Sequence, residues 1–195
     1  MKILVIGSGI SGLAAAWLLQ EKYEVTLYEK NNYFGGHSKT RIVDFSGHKI
    51  PVDTGFIVLN DRTYPNLNAL FKSLEVKIEP SKMSFAVSIN QGQLEYAGHS
   101  LAGLFAQTKN LVNFKFLKML CDILKFNRQA KAILKAEDNI SLGQMLDNLG
   151  LSEAFKNYYL LPMSGAIWSC PTKTILAYPA KTFIQFFANH GLLTV

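Results

Sequence analysis

The feature that most constrains this chain lies between Met1 and Lys30. Lys2-Ile3-Leu4-Val5-Ile6 reads as a strand and runs straight into Gly7-Ser8-Gly9-Ile10-Ser11-Gly12, a G-x-G-x-x-G turn. An apolar stretch of helical length follows, and Val25-Thr26-Leu27-Tyr28 then forms a second strand that delivers Glu29 and Lys30. Gly7 allows a sharp turn out of the strand, Gly9 removes a side chain where a pyrophosphate must approach backbone, and Gly12 lets the helix pack against the sheet. The helix N-terminus, carrying Ile10 and Ser11, offers unpaired N–H groups and the positive end of a dipole to an anion. Glu29 lies 22 residues after Gly7, close to the roughly 20-residue interval at which a carboxylate reaches ribose hydroxyls. A carboxylate there repels a 2′-phosphate and disfavours NADP. A secretory signal or membrane anchor over Lys2–Gln20 is the rival reading, but three glycines and two serines interrupt that stretch at the spacing of a phosphate turn.

Downstream, Asn31-Asn32-Tyr33-Phe34-Gly35-Gly36-His37-Ser38-Lys39-Thr40 forms a second glycine-rich loop. Arg41–Phe45 and His48–Val52, joined by Ser46-Gly47, predict a hairpin. Asp53-Thr54-Gly55-Phe56 predicts a tight turn, and the apolar spacing from Tyr64 to Leu74 predicts a helix. Val76–Glu79, Met83–Ile89 and Leu94–Ala97 read as strands, the last two joined through Asn90-Gln91-Gly92-Gln93. From Leu101 onward the pattern is mainly helical, with Ser141 and Ser152 as caps of helices over Leu142–Leu149 and Glu153–Tyr159. Leu160–Pro179, broken by Pro162, Gly165, Pro171 and Pro179, reads as less regular. A last helix over Ala180–Asn189 ends at His190-Gly191, with Gly191 as the cap.

At 195 residues the chain suits one domain or a domain with a subdomain. Two cysteines, Cys121 and Cys170, support neither a disulfide framework nor a cysteine metal site, and a reducing cytoplasm fits them best. His37, His48, His99 and His190 are scattered without a metal-ligand pattern. His190 reads as a helix-end side chain satisfying carbonyls, Cys170 as a small buried residue, and the Trp168, Tyr158, Tyr159 and Tyr178 aromatics as core at least as readily as a substrate lining. No catalytic side chain is assigned.

The net charge is +6, and between Leu101 and Ala136 seven basic residues face a single acid, Asp122, so this segment holds the whole excess. Its apolar residues, among them Leu111, Val112, Phe114, Leu117, Leu120, Leu124 and Ile133, recur at intervals of three and four. A solvated lysine face over a helical core is the favoured reading, with peripheral contact to anionic lipid behind it. No base-stacking or groove-reading motif accompanies the charge, which argues against a nucleic-acid partner.

With both glycine clusters in view, the chain resembles the FAD-dependent amine-oxidase superfamily, which includes flavin monoamine oxidases, phytoene desaturases and protoporphyrinogen oxidases. The likeness rests on Gly7-x-Gly9-x-x-Gly12-Leu13, on Glu29 closing the second strand, and on Gly35-Gly36 followed by the hydroxyl of Ser38. It implies that Gly35-Gly36 pass close to the FAD pyrophosphate and ribityl. His37 stands where the family usually has Arg, which leaves Lys39 or Arg41 as candidates for the phosphate charge. Asp53-Thr54-Gly55-Phe56 matches the family's next landmark and implies that the backbone of Thr54, Gly55 and Phe56 lies near the isoalloxazine; the plain alternative is a turn that needs Gly55. Pro162–Ser169, Tyr178-Pro179 and Asn189–Leu193 are similar to a bacterial branch of predicted NAD/FAD-binding oxidoreductases.

The fold class implied is α/β: a Rossmann-like FAD-binding βαβ unit, incomplete, over residues 1–75, with an inserted α+β, largely helical substrate or cap subdomain over 76–195. The implied function is an FAD-dependent oxidoreductase whose flavin accepts a hydride from a small, apolar substrate. Relatives continue beyond the point matched by Val195, so a fragment, a truncated non-catalytic remnant, or a chain completed by a separate polypeptide are all expectations. An NAD-binding dehydrogenase is the further alternative.

Overall fold

The computed structural model describes residues 1–55, 58–81, 84–135 and 139–193. The chain separates into two compact units, Met1–Lys77 and Ile78–Val195.

The first unit opens with β1 (Lys2–Ile6), α1 (Ile10–Leu19) and β2 (Glu24–Tyr28). The strands pair in parallel from Lys2 opposite Glu24 to Ile6 opposite Tyr28, which makes this a βαβ unit. Ile3, Val5, Val25 and Leu27 are half-buried, while Leu4, Ile6 and Tyr28 on the other face are exposed. β3 (Thr40–Phe45) and β4 (His48–Asp53) form the expected antiparallel hairpin. Its two-residue turn places both Ser46 and Gly47 at positive φ, as the twist of a tight hairpin requires. α2 (Pro65–Ser73) follows, with its proline in the first turn.

Val76–Glu79, read from sequence as a strand, is not one. Glu75 takes a left-handed φ of 55° and the Val76 N–H turns back to the Phe71 carbonyl, so the segment is spent on ending α2. Pro80 follows directly and removes a further backbone donor.

The second unit begins with the antiparallel pair β5 (Ala86–Ile89) and β6 (Leu94–Ala97). The strand expected from Met83 starts only at Ala86, and Met83 itself lies outside the described residues. The short helix α3 (Leu101–Leu104) and a 3-10 turn, Thr108–Val112, lead into α4 (Phe114–Ile133). α5 (Leu142–Asn148) carries the Ser141 capping box with Gln144.

α6 (Glu153–Phe155), capped by Ser152, passes through a π turn at Lys156–Leu160 straight into α7 (Leu161–Trp168). α8 (Thr172–Leu176) and α9 (Ala180–Asn189) complete the unit. Leu160–Pro179 is therefore largely helical, against the irregular reading. Pro162 is tolerated because it falls in the first turn of α7, beside the wide π turn. A proline cannot donate to the carbonyl four residues back, here Tyr158, and that carbonyl instead accepts the Tyr96 hydroxyl at 2.6 Å. Burial, with Tyr159 nearby, pushes the Tyr96 phenol well above its ordinary range, so it stays a donor.

Among the described residues every fully buried apolar side chain lies in this second unit. One cluster gathers Phe126, Phe155, Phe183 and Phe187, and another places Val87, Leu94 and Tyr96 against Phe116 and Met119. Asp122, 1% exposed, joins α4 to α6: one oxygen receives the Lys118 ammonium at 2.6 Å and the other the Ser152 N–H at 3.0 Å. Burial opposes its charge, but these partners outweigh burial and hold the carboxyl below its usual range. Tyr96→Phe should leave the Tyr158 carbonyl without its donor and cost about 1–3 kcal/mol. Calorimetry should show the transition of this unit falling by several degrees.

Candidate functional site

In the first unit, β1 ends at Ile6 and the chain turns at Gly7, whose φ of 94° is left-handed. The Gly7 N–H donates to the Tyr28 carbonyl at 2.7 Å, which places the turn beside the end of β2. α1 begins at once, capped by Gly9 with no side-chain acceptor and with no acid in its first turn. Its leading N–H groups therefore meet no carboxylate from their own helix, an arrangement suited to an anion.

The glycines divide their work. A Cβ at Gly12 would collide with the Gly7 carbonyl oxygen and touch Val5, so Gly12 lets α1 sit against the strand. A Cβ at Gly9 would meet nothing within 4 Å. Gly9 is thus not needed for internal packing, and it leaves open space beside the start of α1.

The second glycine loop folds onto the first. Gly35 N–H donates to the Ser8 carbonyl at 2.8 Å, and Gly9 and Gly35 form a parallel bridge. A Cβ at Gly36 would lie 3.0 Å from the Gly9 Cα, so the two backbones touch. Together the turns enclose a cleft of about 340 Å³ lined by Gly7, Gly9, Ile10, Ser11 and Gly12 from one side and Gly35, Gly36, His37 and Ser38 from the other. Gly55 packs behind this loop, where a Cβ would be 3.0 Å from Ser38 Cα, and the Thr54 N–H and hydroxyl both donate to the Lys39 carbonyl.

Glu29 stands next to the cleft, held by its neighbours. One oxygen accepts the Ser8 hydroxyl at 2.6 Å and the Ser8 N–H at 2.8 Å; the other accepts the Asn31 N–H at 2.8 Å and its side-chain amide at 3.0 Å. The Ser8 hydroxyl first, then the Asn31 and Ser8 N–H groups, draw its pKa from an ordinary 4.5 to about 2. It is a fixed, fully ionised acceptor at neutral pH.

Some expected residues lie elsewhere. Ser8, fully buried, serves Glu29 and the Gly35 N–H rather than lining the cleft. Glu29, Lys30 and Thr54 are not among the lining residues, and Phe56 lies outside the described residues. Neither candidate for the phosphate charge lines the cleft: Lys39 Nζ rests 3.4 Å from the centre of the Tyr33 ring, and Arg41 is on β3 opposite Val52. The lining is instead glycine-rich, and Ile6, Ile10, Ser11, His37 and Ser38 complete it. Asn31 was missed from sequence, though an Asx residue two positions after an acid at a strand end is a recognisable turn former. In the second unit, His190 bonds the Phe186 carbonyl at 2.9 Å through Nδ1 and stacks on the Phe186 ring, in keeping with a helix-end role. Trp168 packs against Phe183 and Phe186 in the core. Among the described residues no group of acids, histidines and cysteines is placed to hold a metal ion.

Two stability experiments check the division of labour. Gly9→Ala should leave the melting transition of the first unit unchanged, whereas Gly12→Ala should cost about 1–3 kcal/mol through overpacking. Glu29, with a depressed folded pKa, stabilises the unit fully above pH 4.5 and ceases to do so as pH falls towards 2. Acid unfolding followed by circular dichroism should lose this contribution across that window in the parent and show none of it in Glu29→Gln.

Comparison with known proteins agrees with this geometry. Residues 5–74 match the family described as "NAD(P)-binding Rossmann-like domain". A 76-residue stretch is 37% identical to 1-hydroxycarotenoid 3,4-desaturase of Flavobacterium sp. (strain P99-3), covering 38% of this chain and 15% of that enzyme. An oxidoreductase from Methanosarcina mazei shares the fold with a TM-score of 0.58 at 19% identity, over 98% of this chain and 43% of its own. Wild-type putrescine oxidase bound to putrescine does so with a TM-score of 0.54 at 21% identity, over 99% of this chain and 44% of its own. The chain thus spans less than half the length of each of these relatives. Residues 5–74 are thus similar to the NAD(P)-binding Rossmann-like domain family, and the chain is similar in sequence to a carotenoid desaturase over one stretch and in fold to putrescine oxidase.

Proposed function

We propose that this chain is the dinucleotide-binding portion of an FAD-dependent oxidoreductase. The observation that carries the reading is the convergence of two glycine turns, Gly7–Gly12 and Gly35–Ser38, on one cleft with the anchored Glu29 beside it. A single glycine turn serves a simple NAD site equally well; a second loop laid against the first extends the cradle along a longer, FAD-like ligand. Such a group is supported by the opening that Gly9 leaves and by the glycine-rich walls of the cleft.

In this reading the N-terminus of α1 and the Gly35-Gly36 backbone hold the pyrophosphate, and Glu29 accepts from the ribose hydroxyls. His37 stands at the cleft wall as a nearby side-chain donor. The family likeness assigns the backbone of Thr54 and Gly55 to the ring system. FAD, when bound, supplies the two-electron acceptor. The chain's own residues orient it and keep its phosphates in register. The substrate is a small, apolar molecule, in line with a desaturase among the relatives. Cys121 and Cys170, both free thiols, suit a cytoplasmic setting. No described helix is long and apolar enough to cross a membrane.

Titration of the purified chain with FAD, NAD⁺ and ADP tests this. FAD should bind most tightly and raise the melting transition of the first unit by mass action. Gly9→Ala should weaken FAD by about tenfold or more, equivalent to 1.4 kcal/mol or above. NAD⁺ binding at least as tightly as FAD would replace the flavin reading with a dehydrogenase, and no response to any of the three would remove it.

A further inference from the structure

The basic segment 101–136 was read from sequence as an amphipathic helix with a lysine face. In the structure the apolar stripe of α4 is core: Phe116, Met119, Phe126 and Ala130 are fully buried. α4 therefore cannot lay that stripe on another surface. Beyond a single exposed leucine on α4, Leu124 at 53%, the uncovered apolar residues gather at its start, where Leu111 is 55%, Val112 77% and Phe114 86% exposed.

This corner is held in place by polar contacts. Asn110 is buried and donates its amide to the Glu95 carbonyl at 3.0 Å. Gln107 donates to the Gly92 carbonyl and accepts the Glu95 N–H, pinning the 3-10 turn to the β5–β6 hairpin. The Asn113 side chain caps α4 by accepting the Lys115 and Phe116 N–H groups, which sends Phe116 inward and leaves Phe114 outside. A groove of about 380 Å³, lined by Phe114, Lys115, Lys118, Ala154 and Tyr158 among others, continues the apolar surface.

The charge around the corner is predominantly positive; an exposed acid beside it, Glu95, is hydrogen-bonded to Ser88 and Gln107. Lys109, Lys115 and Lys118 are exposed beside the corner, and residues 101–121 contain no Asp or Glu. Asp122 is buried and engaged with Lys118 and Ser152. Glu153, at the edge of the groove, is bonded to Lys156 and Asn157.

We propose that the Thr108–Lys118 corner docks on an anionic phospholipid surface, with Val112 and Phe114 entering the interface and the lysines meeting lipid phosphates. Exposed bulky apolar side chains ringed by lysine are the combination that an anionic bilayer rewards, through apolar burial together with charge attraction. A protein partner of acidic surface is the competing occupant.

Sedimentation of the full chain with vesicles of phosphatidylcholine alone, or of phosphatidylcholine mixed with phosphatidylglycerol, separates the two. Binding is expected to the mixed vesicles only and should fall with added salt. Lys109→Gln and Lys115→Gln should each weaken it by about fivefold, the effect of roughly one charge near such a surface. Val112→Ser with Phe114→Ser should abolish most of it without moving the melting transition, and Lys173→Gln, outside the corner, should change nothing. Failure to bind the mixed vesicles would overturn the proposal in favour of a protein partner. Equal binding to both vesicle types, or full binding by the Val112→Ser/Phe114→Ser variant, would overturn it as well.

Discussion

The Gly35 N–H reaches the Ser8 carbonyl across 2.8 Å, and most of the first unit's organisation follows from that bond. Ser8 is the one fully buried polar residue described there, and its three polar groups have separate duties. Its carbonyl takes the second glycine loop, while its N–H and hydroxyl hold Glu29. One residue thus joins the two glycine turns and fixes the acid beside them. Because these are backbone and charge-assisted hydrogen bonds, the arrangement does not require a large apolar core. None of the described apolar side chains in this unit is fully buried.

The second unit is built the other way, around packed aromatic rings, with polar contacts only where helices must be joined. Phe183 and Phe187 stack with ring centres 4.4 Å apart, and Phe126 meets both Phe155 and Phe187. Asp122 and the Tyr96 hydroxyl each satisfy a backbone group at a helix irregularity, the start of α6 and the π turn. Such buried polar links are costly to leave half made, so they favour a single arrangement of α4, α6 and the hairpin.

Much of this was legible from sequence because local chemistry decided it. The glycine spacing, the Ser46-Gly47 hairpin and the Ser141 and Ser152 caps each announce a structure through the conformation one residue prefers. Gly191 likewise ends α9, with the Leu192 N–H returning to the Phe187 carbonyl as in a Schellman turn. What failed depended on distant partners. The helix through Pro162 leaves the Tyr158 carbonyl without a proline donor, and a tyrosine more than sixty residues away donates to it, which no local pattern records. Val76–Glu79 has strand-forming residues but no described strand pairs with it. The α4 region carried a correct amphipathic period, yet the period could not tell which apolar residues face the core. Leu111 and Val112 belong to the 3-10 turn rather than to α4, Phe114 opens α4, and all three are exposed.

The separate roles of Gly9 and Gly12 have an evolutionary consequence. A residue held by packing is retained for as long as the chain must fold; one held only by a ligand is retained for as long as that ligand matters. Gly12 is of the first kind; at Gly9 no protein atom lies in the way of a side chain, so only a ligand in the proposed site would hold it. A lineage that had stopped binding nucleotide, yet still folded, would keep Gly12 while Gly9 drifted to alanine or serine. The pair is therefore a record, readable in related sequences without any assay, of whether the proposed nucleotide cleft is still in use.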